Sequence, residues 1–445
     1  MTRLETFQKW VGLDSAIFFT IVGRAVQFGS GFLSLMMIVH FLSPEEQGFY
    51  YTFNSILGLQ ILLELGFGGV LMQFISHEWA HLSLSPQMEI VGNAFHRDRF
   101  ISLIRFGTRW FFIVSILFFL FCSILGGMFF HLKPHAGINW EGPWVGVVFA
   151  FSLFIFLSPY LSILEGCQKI SEVAFVRLLG IIFNCCFGWI SLGLGLKLYF
   201  PMFAFLGYVF IYSLALIWKF PFLLKLSWGE ITPIQNPISW KNEIWPMQSR
   251  IAISFGLGFI LFNFYSPVLF YFRGSIEAGR MGMSMAIING ISAIGMAWVG
   301  TKAPIFGRQI AKGETKELKS LFLKSFKQSY VVVIFTSLLC FVGIQFISQV
   351  FPAFGNRILS SPALVALFLY AITNHLVNCQ AIFLRAFKEE PFLILTVIGS
   401  FCIGICDVVF GILFGGLGIS VAYFAVSFIL LPLPTWIWWK KWREL

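Results

Sequence analysis

Charge is scarce in this 445-residue sequence: Asp, Glu, Lys and Arg make up 11% of it, against roughly a quarter in soluble domains. The eight cysteines show neither a metal-ligand spacing nor a disulfide framework. All but Cys167, which falls in an expected turn, sit in apolar runs, where thiols act as small apolar side chains. Acid–base groups are also few in the loops of one side. The longest, His131–Pro143 and Pro352–Pro362, hold only His131, His135 and Glu141. A membrane enzyme such as a glycosyltransferase or polymerase needs a sizeable aqueous loop bearing such groups, so no catalytic residue, metal site or cofactor is expected. A signal peptide is not expected either, because the first apolar run is too long and has no small-residue cleavage site.

Apolar residues fill the rest. The chain is 58% hydrophobic, with 56 Phe and 15 Trp. About 20 apolar residues cross a bilayer as a helix, so an all-α integral membrane protein of about twelve spans is expected. They are placed at 15–42, 48–76, 109–130, 144–164, 175–198, 202–220, 246–272, 281–304, 329–351, 363–384, 391–414 and 416–438. Leu42–Gln47 and Gly415–Gly416 read as tight turns. The expected division is an N-terminal six-helix lobe (1–220), a linker (221–245) and a C-terminal six-helix lobe (246–445).

Positive charge is asymmetric along this topology. Of the 30 Lys and Arg residues, 24 fall on the side of the termini and even-numbered connectors; Lys133, Lys197, Arg273, Arg280 and Arg357 fall on the other. The last is Arg24, inside the first span. Such a bias orients both termini to the cytoplasm of a plasma (inner) membrane, and it explains the net charge of +10 without nucleic acid. Arg97–Trp110 and Gly313–Gln328 mix basic and apolar residues at helical spacing, as helices lying against anionic membrane lipid do. The tail Trp436–Trp442 reads as an aromatic anchor at the same interface.

Arg24 organises the first span. A mid-helix charge costs roughly 2.5–3.5 kcal/mol on insertion scales, so it should face protein or water. At 100° per residue Thr20, Gln27, Gly31 and Ser34 fall within about 80° of it, and the remaining faces are apolar. A polar stripe lining a path through the membrane is expected.

The halves also repeat. Phe28-Gly29-Ser30-Gly31-Phe32 recurs as Phe255-Gly256-Leu257-Gly258-Phe259, with Arg24 and Arg250 before them. Ser43-Pro44-Glu45 and Ser275-Ile276-Glu277 follow, then basic connectors carrying Ser102-Leu103 and Ser320-Leu321 at matching points. Six spans separate the copies, so the repeat is parallel, with a pseudo-two-fold axis along the membrane normal.

Phe41–Glu78, FLSPEEQGFYYTFNSILGLQILLELGFGGVLMQFISHE, resembles the first hairpin of polysaccharide and O-antigen flippases of the multidrug/oligosaccharidyl-lipid/polysaccharide exporter superfamily. Ser162–Arg177, SILEGCQKISEVAFVR, resembles the turn between that family's fourth and fifth helices. The resemblance implies two six-helix lobes around a V-shaped central cavity and alternating access. It implies a flippase moving a polyprenyl-pyrophosphate-linked oligosaccharide to the outer leaflet for surface polysaccharide synthesis, with a polysaccharide polymerase or assembly complex as a candidate partner. A cation-coupled drug or small-molecule exporter of the same superfamily is the alternative.

Candidate residues follow. Arg24 offers a planar donor fork to pyrophosphate oxygens, or pairs with Glu64. Gln27 shares its stripe. Gln60 and Glu64, in an i, i+4, i+8 row with Gly68, supply a counter-ion or a protonation site. Asp407, mid-span with Thr396, Ser400, Gly404 and Gly411 on its face, is the candidate for H⁺ or Na⁺ coupling, or is a hydrogen-bonded structural acid. Asn374 and Asn378, with Arg385 on their face and His375 beside it, bind sugar hydroxyls or hydrogen-bond between helices. Arg250 meets the head group or anchors the seventh span; Asn263 and Asn289 are further candidates. Pro267 marks a kink in that span.

Overall fold

The computed structural model describes residues 15–85, 89–132, 137–229, 234–246, 248–249, 252, 256–257, 259, 263–387 and 392–445. Helix dominates, as backbone surrounded by hydrocarbon requires. In chain order come α1 (Ser15–Phe41), α2 (Pro44–Leu57), α3 (Gln60–Glu64) and α4 (Phe67–Trp79). A short antiparallel hairpin follows, β1 (Leu82–Leu84) with β2 (Ile90–Gly92). Then come α5 (Ala94–His131), α6 (Glu141–Gly166), α7 (Ile170–Gly193), α8 (Phe200–Trp218) and α9 (Pro221–Trp228). The remainder holds α10 (Tyr265–Arg273), α11 (Ser275–Gly300), α12 (Ala303–Lys312), α13 (Thr315–Val350), α14 (Pro352–Gly355), α15 (Ser361–Arg385), α16 (Leu393–Leu430) and α17 (Pro432–Glu444). Among the described residues nine helices are long and apolar enough to cross a membrane, ten if the bent pair Pro44–Glu64 and Phe67–Trp79 is one span. Val331, Phe335, Leu338, Val342 and Phe346 of α13 are all exposed at helical spacing. Water does not tolerate such a stripe, and lipid does.

Local chemistry sets several boundaries. Ser43 Oγ accepts from Glu46 N (3.1 Å) while Glu46 Oε2 accepts from Ser43 N (2.7 Å), a reciprocal cap that starts α2. Gly415, at φ 64 and ψ −146, breaks α16 into two helices, at the turn read from the sequence. Arg273 donates to the carbonyls of Gly411, Ile412 and Leu413 before that break. Glu277 Oε1 accepts from Gly416 N (2.9 Å) after it. The two open helix ends are thus capped by groups of opposite sign. Pro267 sits in the first turn of α10, where a missing N–H costs little, and the turn lies at Phe264.

The basic connectors differ from the separate surface helices read from the sequence. Each runs unbroken into the next span, giving 38 residues in α5 and 36 in α13. No Pro stands at either junction, and the single Gly107 at the first, which lets Leu71 approach, weakens a helix by only about 1 kcal/mol without ending it. The tail differs too. Trp438 and Trp442, four residues apart on one face of α17, pack on Phe322 and Phe383. Only Trp436 and Trp439, on the other face, are exposed.

The chain forms two compact units. Unit 1 holds Met1–Leu42 and Ile56–Gly256. In it α8 approaches α7 so closely that a Cβ on Gly207 would stand 2.5 Å from Phe183 O. The segment after α9 is strapped to the start of α5. Arg105 Nε donates to Leu226 O (3.2 Å), Gln235 N to Asp98 (3.0 Å) and Ile238 N to Ser102 Oγ (3.2 Å). Arg99 bridges Glu78 (2.9 Å) and Glu243. Glu243 also accepts from Ser239 N (2.9 Å).

Unit 2 holds Ser43–Ser55 and Leu257–Leu445. Most of α2 thus belongs to it. Gly48 leaves no room for a Cβ against the Ser275 carbonyl, and Gly282 none against Tyr51. Gln47 Nε2 donates to the carbonyls of Gly279 (2.9 Å) and Arg357 (3.0 Å), while Arg357 Nη1 donates back to Gln47 Oε1 (3.3 Å). The hydroxyls of Thr52 and Ser266 stand 3.2 Å apart, and Ser55 donates to Asn263 O.

Candidate functional site

The polar stripe of α1 is divided between two surroundings. Ser34 Oγ accepts from Trp189 Nε1 of α7 at 2.9 Å, and the Ser15 and Ser171 hydroxyls meet at 2.6 Å. One edge of the stripe is therefore helix packing. Arg24, Gln27 and Gly31 remain exposed. In the sequence this edge was indistinguishable from the rest, because Ser34 and Gln27 share the same arc.

The second span is broken beside its polar row. The chain turns at Gly58–Leu59, makes the single turn α3, and turns again at Leu65 (φ 53) and Gly66 (φ 67) before α4. The two halves bend by 44°. Left-handed backbone at a leucine costs of order 1–3 kcal/mol and persists where the surroundings demand it. Gln60 and Glu64 bound this short turn. Glu64 is half-buried, and the amide oxygen of Gln60 is buried without a partner. Among the described residues Arg24 and Glu64 form no ion pair, with each other or with any other group. Unit 1 thus holds an unpaired guanidinium on one helix and, at a helix break, an unpaired carboxyl and an orphaned amide.

Unit 2 presents the opposite arrangement. Asp407 is fully buried in α16. Its Oδ2 accepts from Tyr423 (3.3 Å), and Oδ1 has no partner. Tyr265 of α10 and Tyr370 of α15 lie within electrostatic range of it, and Tyr370 stacks obliquely on Tyr423 with ring centroids 5.4 Å apart. Tyr51 of α2 lies within range of Tyr265 and its hydroxyl is buried without a partner. Sequence reading missed these four phenols. A signal was present: the chain uses 56 Phe and only 11 Tyr, so each apolar-run tyrosine marks a place where a hydroxyl is wanted. Ser400 and Thr396, on the Asp407 face, donate only to carbonyls of their own helix. An ionised carboxylate with an orphan oxygen in this site costs several kcal/mol, and a proton or a bound cation removes that cost.

On α15, His375 is buried, with Nδ1 lacking a partner among the described residues. Its Nε2 lies 2.6 Å from Ser329 Oγ, which itself donates to Gly295 O at 2.7 Å. Asn374 and Asn378 are half-buried, and neither hydrogen-bonds to a described residue. Asn263 takes part through its backbone carbonyl, and Asn289 and Arg385 are exposed. Arg250 lies outside the described residues.

No family model matches the chain, and no curated protein matches it by sequence. Solved structures do share its fold. One is the inward-facing conformation of a multidrug resistance MATE family transporter of the MOP superfamily, with TM-score 0.65 and 13% identity over 96% of this chain and 99% of that one. Another is the lipid II flippase MurJ in an inward closed conformation, with TM-score 0.63 and 14% identity over 94% and 86%. A eukaryotic MATE transporter gives TM-score 0.56 and 14% identity over 96% and 95%. The chain therefore has the two-lobe helical fold of these membrane transporters, and the neighbours are transporters and a flippase, not enzymes.

Proposed function

We propose that this protein is an alternating-access flippase that moves a polyprenyl-pyrophosphate-linked oligosaccharide from the cytoplasmic to the outer leaflet of a plasma (inner) membrane, with both termini cytoplasmic. The lobes are 1–220 and 246–445, joined by 221–245. The observation that carries the reading is the exposed guanidinium of Arg24, which has no ion-pair partner among the described residues, on the polar stripe of a mostly apolar span. Pyrophosphate is the partner its donor fork suits. Gln27, Gln60 and Glu64 surround the path in unit 1; Asn374, Asn378 and Arg250 supply sugar and head-group contacts from the second half of the chain. Asp407 takes up H⁺ or Na⁺ during the cycle. The released glycolipid passes to a polysaccharide polymerase or assembly complex.

The phenol-ringed carboxyl supports a second reading, a cation-coupled drug or small-molecule exporter, because a carboxyl among aromatics also suits an organic cation. One experiment separates the two. Arg24→Ala and Arg24→Lys are expressed in a host lacking the chromosomal gene. The flippase reading expects surface polysaccharide to be lost in Arg24→Ala and partly kept in Arg24→Lys, with cationic dye efflux absent throughout. Full export by Arg24→Ala at normal protein level removes the assigned role.

A further inference from the structure

Unit 1 holds a cavity that Arg24 does not line. Three chain reversals converge there: the end of α4 with β1, the turn between α6 and α7, and the turn between α8 and α9. Together they enclose a cavity of about 210 Å³ lined by Trp79, Leu84, Cys167, Lys169, Glu172, Lys219, Phe220 and Phe222. Its floor is apolar: Cys167, Phe220 and Phe222 are buried. Its rim carries two ammonium groups. Lys169 is shared with Glu172 at 3.7 Å, while Lys219 has no ion-pair partner among the described residues and lies 5.6 Å from the centre of the Phe220 ring. The slot therefore has one carboxylate against two cations, leaving a net positive mouth over a greasy base.

All three reversals lie on the Lys/Arg-rich side of the topology. An amphiphile with an anionic head and an acyl root matches this arrangement: the phosphate meets the ammonium pair and the first methylenes enter the aromatic slot. Free phosphate satisfies only the rim. We infer that this cavity binds an acidic phospholipid of the leaflet facing the basic connectors, held by Lys169 and Lys219 and packed on Trp79, Phe220 and Phe222.

Native mass spectrometry of the purified full chain tests this, with phosphatidylglycerol and phosphatidylcholine as probes. The wild type is expected to retain one phosphatidylglycerol that Lys169→Gln/Lys219→Gln loses, with affinity down about tenfold or more. Leu84→Trp, which fills the slot and leaves both lysines, is expected to lose it as well. Lys312→Gln/Lys316→Gln removes equal charge from the other basic connector and is expected to keep it. Equal retention by the Lys169/Lys219 variant, equal retention of phosphatidylcholine, loss in the Lys312/Lys316 control, or displacement of the lipid by inorganic phosphate each overturns the inference. Circular dichroism and unfolding temperature confirm that each variant is folded.

Discussion

The two units treat charge in opposite ways. In unit 2 the basic residues of the sparsely charged side are tied down by the protein itself. Arg273 caps three carbonyls, Arg280 donates to Asn356 O at 3.0 Å and meets Glu277 at 3.6 Å, and Arg357 exchanges hydrogen bonds with Gln47. In unit 1 the membrane-level charges Arg24 and Glu64 have no described partner. A charge satisfied within the protein is already committed, whereas an uncommitted one has its partner elsewhere. Under the proposed function, ligand contact falls to these charges of unit 1, while the three arginines of unit 2 serve as internal scaffolding. The exception in unit 2 is the orphan oxygen of Asp407.

The largest effect is expected where that exception is removed. Asp407→Asn keeps the shape and takes away the ionisable oxygen. A neutral amide there avoids the cost of ionising a buried, incompletely hydrogen-bonded carboxyl. The expected outcome is an unchanged or raised unfolding temperature with ion-driven transport lowered by an order of magnitude or more, read in proteoliposomes with an imposed H⁺ or Na⁺ gradient. Glu64→Gln sharpens the contrast: having no described partner, it is expected to leave stability alone. If Asp407→Asn transports at the wild-type rate, Asp407 is scaffolding after all and unit 2 has no exception.

The same contrast is measured on stability with two arginines. Arg273→Ala leaves three carbonyls at the Gly415 break without their donor, and a hydrogen bond of this kind contributes about 0.5–1.5 kcal/mol net. A loss of that size is expected in denaturant or thermal unfolding. Arg24→Ala is expected to change stability by less than about 0.5 kcal/mol, the scale of surface substitutions away from special features. Equal losses in the two variants break the division between committed and uncommitted charge.

Elements governed by short-range rules were readable in advance. Hydropathy picked out apolar helices, nine or ten of them long enough to cross a membrane among the described residues where twelve were expected, and Gly415–Gly416 a reversal; the turn read at Leu42–Gln47 is shorter, because the reciprocal cap of Ser43 and Glu46 starts α2 at Pro44. Arg24 stood out because a charge in an apolar run is conspicuous whatever surrounds it. Features made by distant residues were not readable. Gln47 meets Arg357 from 310 positions away, and the phenols around Asp407 come from four separate stretches. Nor does composition tell whether an amphipathic connector stops at the membrane surface: α5 and α13 run straight through because neither contains proline and their glycines are tolerated within the helix. The tail misled for a related reason. Its tryptophans alternate between a packed face and an exposed one, and only the packing partners Phe322 and Phe383 show which is which.

The smallest effect tests the strap of unit 1, where Arg99 is shared between Glu78 and Glu243. The hydrogen bond from Arg99 holds the Glu243 carboxyl below its ordinary 4.5, aided by Ser239 N. A carboxyl with a lowered folded value binds fewer protons when folded than when unfolded in the window beneath 4.5. The stability it supplies is therefore present above that value and drains away as pH falls through the folded one. Glu243 is about a third exposed, at 35% of its side-chain surface, so solvent screens the pair. The contribution belongs on the scale of exposed pairs, under about 1 kcal/mol. Glu243→Gln is expected to unfold slightly earlier than wild type at pH 7, and the two curves are expected to converge as the pH falls below 4.5 through the lowered folded value. High salt at pH 7 should shrink the same gap. A gap that does not narrow as the pH falls below 4.5 shows that the strap is held by its backbone contacts to Asp98 and Ser102, and that the Arg99–Glu243 pair contributes nothing measurable to it.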